Sequence, residues 1–155
     1  MIERTESGLY CRAADAWVDP WKPVPRALIT HAHADHARPG CGEYWAVDSS
    51  EGVLRQRLGQ SINLHPVRYG KEFWLGQCKV SFHSAGHVLG SAQIRLESDG
   101  NVWVVSGDYK RDPDPSCTPF ETVACDVLIT EATFGMPIYR WNTGAEVAEL
   151  IREWW

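Results

Sequence analysis

The longest apolar runs in this chain of 155 residues fall far short of the ~20 residues needed to cross a bilayer, and no basic segment followed by an apolar one opens it. A cytoplasmic setting without a membrane partner is therefore expected. Cysteine is unpaired in pattern. The five residues Cys11, Cys41, Cys78, Cys117 and Cys125 are odd in number and contain no Cys-x-x-Cys pair. That argues against a disulfide framework and a zinc-thiolate site, and predicts reduced, mostly buried thiols. Positive charge is also in deficit, with 15 Lys and Arg against 20 Asp and Glu and a net charge of −5. The broad basic footprint of a phosphate-binding surface is missing, so any attraction for nucleic acid must come from another source. Histidine is confined to positions 31, 33, 36, 65, 83 and 87, and none follows.

What is present is concentrated. His31, His33, Asp35 and His36 stand within six residues of one another in Thr30-His31-Ala32-His33-Ala34-Asp35-His36. Neutral imidazoles and carboxylates are favoured ligands for zinc and similar divalent ions. If the apolar run from residue 26 to 30 is a buried strand, His31 and His33 continue its period of two, point to one side and can pinch an ion. Asp35 and His36 then fall where the chain turns and can reach a second. Two ions about 4 Å apart suit hydrolysis, because one polarises the attacked group while a shared water is deprotonated between them.

Two further donors follow strand-like runs. His87 comes after residues 79–82, within Ser84-Ala85-Gly86-His87-Val88-Leu89-Gly90-Ser91-Ala92. Asp108 comes after the apolar run 102–105, within Ser106-Gly107-Asp108-Tyr109. A carboxylate at a strand end can bridge two cations, and a preceding glycine lets the backbone come close.

These tracts resemble the first motifs of the metallo-β-lactamase superfamily, and Asp19 in Trp17-Val18-Asp19-Pro20 is similar to the aspartate that precedes them. Gly86-His87-Val88-Leu89-Gly90-Ser91-Ala92 and Glu131-Ala132-Thr133-Phe134-Gly135 resemble the β-CASP nucleases. Trp17-Val18-Asp19-Pro20-Trp21, His36-Ala37-Arg38-Pro39-Gly40, the run from Ser106 to Pro113 and Pro137-Ile138-Tyr139-Arg140-Trp141 resemble the bacterial ligase-associated DNA exonucleases.

The resemblance implies an α/β (α+β) fold, the αββα metallo-β-lactamase sandwich. It implies two zinc ions, with manganese as a substitute: His31, His33 and His87 would hold one, Asp35 and His36 the other, and Asp108 would bridge them. Asp35 would orient the attacking hydroxide, Asp19 would buttress the histidine tract, and Glu131 would position a histidine from later in the chain. Two dications would offset four negative charges, and Arg38, Lys110 and Arg111 would hold neighbouring phosphates. The implied activity is phosphodiester hydrolysis by a two-zinc-activated hydroxide, in a DNA 3′-exonuclease of DNA repair. Its substrate would be single-stranded or end-containing nucleic acid, DNA over RNA. A DNA ligase and a helicase are the implied partners. An RNA-processing nuclease of the same group, a small-molecule hydrolase of lactamase or thioesterase type and a non-catalytic metal-binding fragment are the alternatives.

A β-CASP enzyme needs two histidines after the position of Glu131, and this sequence has none. Residues 1–155 are therefore expected to be the amino-terminal part of a metallo-β-lactamase domain, inactive alone, with the β-CASP insertion and carboxy-terminal part absent. His65 is expected in an exposed loop and His83 as a packed residue.

Strands are expected near 8–11, 16–18, 26–30, 44–47, 72–75, 78–83, 92–97, 102–106 and 126–130, with a hairpin at Ser98-Asp99-Gly100-Asn101. A helix is expected from Ser49 to Leu58, capped by Ser49 or Ser50, and an amphipathic one from Thr143 to Trp155. Among the eight tryptophans, Trp45, Trp74 and Trp103 are expected to be structural, whereas Trp17, Trp21 and Trp141 flank the motifs and are the better candidates for stacking on bases.

Overall fold

The computed structural model describes residues 1–155 and contains two sheets. The first has six strands in sequential order: β1 (Ile2–Thr5), β2 (Gly8–Cys11), β3 (Ala16–Val18), β4 (Arg26–Leu28), β5 (Glu43–Val47) and β6 (Leu64–Val67). The second has five: β7 (Phe73–Leu75), β8 (Cys78–Ser84), β9 (Ala92–Ser98), β10 (Asn101–Val105) and β11 (Val127–Ile129), with β11 and β7 at its edges. Helix α1 (Glu51–Leu58) follows a 3₁₀ turn at Asp48–Ser50, and α2 (Gly144–Trp154) comes last.

Alternation of side chains builds the layers. On β8 and β9, Cys78, Val80 and Phe82 and then Ala92, Ile94 and Leu96 fall at every second position. They meet Cys11, Val18, Leu28, Trp45 and Val47 from the first sheet in one buried cluster, so the sheets pack face to face. The other positions of β4 and β5, Ala27, Tyr44 and Ala46, turn to the opposite face and pack with Leu54 of α1. Both faces of these parallel strands are buried, which is why their sequence reads as a continuous apolar run. A fully buried Phe82 or Leu28 side chain contributes roughly 1.5–3 kcal/mol through the area it removes from water.

The expected strands are present, and the hairpin closes with Ser98 opposite Asn101 and positive φ at both Asp99 and Gly100, the backbone a two-residue turn requires. Two strands come in addition. β1 is a polar edge strand, and β6 carries Pro66, tolerated there because β6 is also an edge. His65 is therefore on a strand and not in a loop, with its ring stacked on Trp45 at 4.4 Å. Trp74 is not core: it lies on edge strand β7 and is 70% exposed, while Trp45 is buried. Ser50 occupies the α1 N-cap position, but its hydroxyl donates to the Val47 carbonyl at 2.7 Å and caps nothing. α2 has a capping box instead, in which the Thr143 hydroxyl accepts from Glu146 N–H and the Glu146 carboxylate accepts from Thr143 N–H. Two thiols, Cys11 and Cys78, are buried and the other three half-buried, all free. No helix is long and apolar enough to cross a membrane.

The topology gathers the candidate residues at one end of the two sheets. β3, β4, β8, β10 and β11 end on Asp19, the histidine tract, the His87 loop, Asp108 and Glu131 respectively. A hydrogen bond of 2.8 Å from Ala92 N–H to the Thr30 carbonyl ties the ends of the two sheets together there.

Candidate metal centre

β4 stops at Leu28, so the histidine tract does not continue a strand; it forms a turn in which Ala37 N–H bonds the His33 carbonyl at 2.9 Å. Arg57 of α1 donates to the Ala32 carbonyl and fixes this turn against the helix. The turn still brings His31 and His33 together. His31 Nε2 is 3.0 Å from His33 Nδ1, and His87 Nε2 is 3.4 Å from the same atom. Asp108 Oδ2 lies 3.8 Å from both His31 Nε2 and His87 Nε2. One donor atom from each of these four residues falls within 4.8 Å of all the others. Four ligands held at 2.0–2.1 Å around a tetrahedral ion sit about 3.3 Å apart, so a small divalent cation could draw these four donors together.

Protonation favours the same reading. Burial, followed by repulsion from His36, His33 and His87, pushes the His31 pKa down to about 2. The His31–Asp108 approach is thus one neutral imidazole beside a carboxylate, not an ion pair, and the imidazole lone pair is free. The His87 pKa is also lowered, chiefly by burial.

The second set of donors lies on the other side of Asp108. His36 Nε2 is 3.3 Å from Asp108 Oδ1 and 3.5 Å from Asp35 Oδ2. The two oxygens of Asp108 therefore face two different histidine groups. Burial acts to lower the His36 pKa, but Asp19, Asp108 and Asp35 outweigh it and the net shift is upward.

Asp19 and Thr30 decide which ring nitrogens face inward. Asp19 Oδ1 accepts from Thr30 N–H at 2.8 Å, and Oδ2 accepts from the Thr30 hydroxyl at 2.5 Å and from His36 Nδ1 at 2.7 Å. With its proton given to Asp19, the Thr30 oxygen accepts from His31 Nδ1 at 3.1 Å. Both histidines thus carry their proton on Nδ1 and present Nε2 to the centre, the arrangement in which a carboxylate fixes the tautomer of a ligand. Thr30 was not among the residues expected to matter. Its signal in the sequence is slight: a hydroxyl side chain directly before the histidine tract.

Backbone geometry supports this arrangement at two points. Asp19 has φ +44°, a left-handed conformation uncommon outside glycine, held here by its three hydrogen bonds. Gly107 has φ +55°, and a Cβ there would lie 2.6 Å from the Thr30 Cβ. Gly107→Ala should therefore destabilise the fold by at least about 1–2 kcal/mol from the backbone conformation alone. A lowered chemical-denaturation midpoint with an unchanged slope is the expected reading. Asp19→Asn puts an amide N–H₂ opposite donors and should weaken metal binding roughly 10–100-fold, read by competition with a chromogenic chelator.

A cavity of about 420 Å³ opens beside the centre, lined among others by Asp19, Trp21, Asp35, His36, Arg38, Asp108 and Glu131. Glu131 accepts from Tyr109 N–H at 3.4 Å and from Thr133 N–H at 3.1 Å. Burial acts to raise its pKa, yet the bonds to Thr133 and Tyr109 outweigh that, and the net shift is downward. Of the expected phosphate-holding cations only Arg38 lines this cavity. Lys110 is paired with Asp114 at 3.0 Å, and Arg111 lines a separate cavity with Tyr109 and Phe120. His83 is packed, between Ser81 Oγ at 3.0 Å and Glu121 Oε1 at 2.8 Å. A larger cavity of about 830 Å³ lies at the opposite ends of the strands, around Ala13, Gln77 and Asp99, and holds none of these donors.

No family model matches the sequence. Over 142 residues the chain is 32% identical to a protein of Opitutus terrae named "Probable DNA ligase", a match covering 90% of this chain and 14% of that one. It is 30% identical over 148 residues to Ribonuclease TTHA0252 of Thermus thermophilus, and 42% identical over 144 residues to an RNase J-like protein of Methanocaldococcus jannaschii. Each of the latter matches covers 76% of this chain and 33% of the relative. The chain thus spans between about a seventh and a third of the length of these curated relatives. With a histidine and carboxylate cluster at the strand ends of a two-sheet sandwich and relatives of this kind, the chain belongs to the metallo-β-lactamase superfamily and, within it, to the β-CASP nuclease group.

Proposed function

We propose that this chain supplies the metal-binding core of a nuclease that hydrolyses phosphodiesters, and that the whole protein is a DNA 3′-exonuclease of DNA repair. The observation that carries the reading is the Asp108 carboxylate, with Oδ2 turned to His31 and His87 and Oδ1 to His36. In this reading His31, His33 and His87 would hold one zinc ion and Asp35 and His36 the other, with Asp108 available to both; manganese, which carboxylates suit, is the substitute. Such a pair, when bound, supplies charge neutralisation at the phosphoryl oxygens and a lowered pKa for the attacking water.

The chain's own groups do the rest. The Asp35 side chain is 75% exposed and faces the cavity, free to accept a proton from water and to orient it. Arg38, on the same wall, is placed to hold a neighbouring phosphate. Glu131, kept anionic by its backbone hydrogen bonds, is a fit partner for a histidine from outside residues 1–155. These residues are read as the amino-terminal part of a metallo-β-lactamase domain. Activity is proposed for the protein that also carries the β-CASP insertion and carboxy-terminal part, and the 155 residues alone are expected to be inactive.

DNA as substrate, and a DNA ligase as partner, draw support from the relative named as a DNA ligase. A helicase partner and a cytoplasmic location rest on the family resemblance and the sequence alone. The relatives named as ribonuclease and RNase J-like favour RNA as the second reading. The test is the extended protein with single strands of DNA and RNA labelled at either end. A 3′-exonuclease releases a 3′ label first, as a mononucleotide, and shortens a 5′-labelled strand progressively. Hydrolysis of thioesters or lactams with both nucleic acids untouched would overturn the nuclease reading.

A further inference from the structure

Between Glu131 and α2 the chain presents three aromatic rings that no mechanistic step above uses. Phe134 packs edge-to-face against both Tyr139 and Trp141, each with ring centroids at 5.3 Å. A turn closed by Tyr139 N–H to the Met136 carbonyl at 3.1 Å brings Tyr139 back onto Phe134. The rings hold one another in place, yet Phe134 is 58%, Tyr139 44% and Trp141 73% exposed. Burying such rings against protein is their usual use, and nothing within residues 1–155 covers them.

We propose that the Phe134–Tyr139–Trp141 cluster is a stacking platform for unpaired nucleobases of a strand whose phosphate enters the cavity at Glu131. Three observations favour this occupant. The first is position: Phe134 lies three residues from Glu131, so chain length alone keeps it within roughly 11 Å of that cavity-lining residue. The second is charge: residues 132–142 contain no carboxylate, and their one charged residue is Arg140, in a chain whose net charge is −5. A polyanion would meet less repulsion here than over the acidic remainder. The third is chemistry: every base has a π face, so a rigid aromatic surface grips single strands without reading sequence, and it offsets the scarcity of basic residues. Bases held on the rings would leave the adjoining phosphate directed to Asp108 and its histidines.

The inference rests on the nuclease reading, and the experiment separates the two. Binding of a fluorescein-labelled single-stranded oligonucleotide to the zinc-loaded extended protein is measured by anisotropy, beside an abasic oligomer of equal length and charge. Base-bearing DNA should bind more tightly than abasic DNA. Trp141→Ala should weaken the base-bearing strand about tenfold, Phe134→Ala with Trp141→Ala should erase the difference between the strands, and Trp141→Phe should restore most of the affinity. Because these rings are exposed, the variants should keep the wild-type circular dichroism spectrum. Equal binding of the two strands would overturn the stacking inference and leave the phosphodiester reading standing; no binding to either would overturn both. A concentration-dependent dimer that Trp141→Ala abolishes, with strand binding unchanged, would assign the rings to a protein contact and overturn the stacking inference.

Discussion

The His31→Ala, His33→Ala double variant should lose the bound metal. After dialysis the wild-type chain should carry between one and two zinc ions, tightly at the His31, His33 and His87 group and weakly at Asp35 and His36. The double variant removes two of the four donors that lie within 4.8 Å of one another. Two remaining ligands cannot complete a tetrahedral set, so the content at the tighter group should fall to near zero. Stability should fall with it. A ligand bound only by the folded state stabilises that state, by about 4 kcal/mol at a thousandfold excess over its dissociation constant, so the wild-type melt should rise with added zinc and the variant melt should not. Retention of full zinc content in the double variant would remove the proposed centre.

Asp35→Ala should abolish hydrolysis in the extended protein while leaving most of the bound metal. The Asp35 carboxylate is 75% exposed against 31% for Asp108, and it approaches only one histidine. Its loss removes one contact of the weaker group and the acceptor that would take the proton of an attacking water. General acid–base groups contribute roughly 10²–10⁴-fold, and a fall of that size in kcat with little change in KM is expected. Glu131→Ala should cost less and act indirectly, through a misplaced histidine. A kcat unchanged in Asp35→Ala would assign the proton to another group and leave Asp35 as a ligand only.

The histidine tract was legible because its donors are contiguous: Thr30 to His36 spans so little chain that any turn brings His31, His33 and His36 together. The tract turns after Leu28 and does not extend the strand, yet His31 and His33 still meet, with Nε2 of one 3.0 Å from Nδ1 of the other, since a compact turn and a period of two both bring close neighbours together. Strand alternation was legible at Cys78–Ser84 and Ala92–Ser98 for a similar reason, as one face is wholly apolar and the period is local. The hairpin at Asp99 and Gly100 needed only residues that accept positive φ.

Long-range pairing decided the rest. His87 and Asp108 are weak signals alone, and only the matching ends of β4, β8 and β10 bring them 3.8 Å apart. The role of Thr30 depends on a hydrogen bond to Asp19 across eleven positions, invisible to any local pattern. Lys110, close to Asp108 in sequence, is turned aside by Asp114, and Trp74 stands in an apolar run yet on an edge strand. Residue type and short-range period thus determined which groups could bind a metal and which faces could be buried. Which nitrogen carries the proton, which cation faces the cavity and which tryptophan is covered were set by tertiary structure, because each depends on a partner that folding brings from a distant part of the chain.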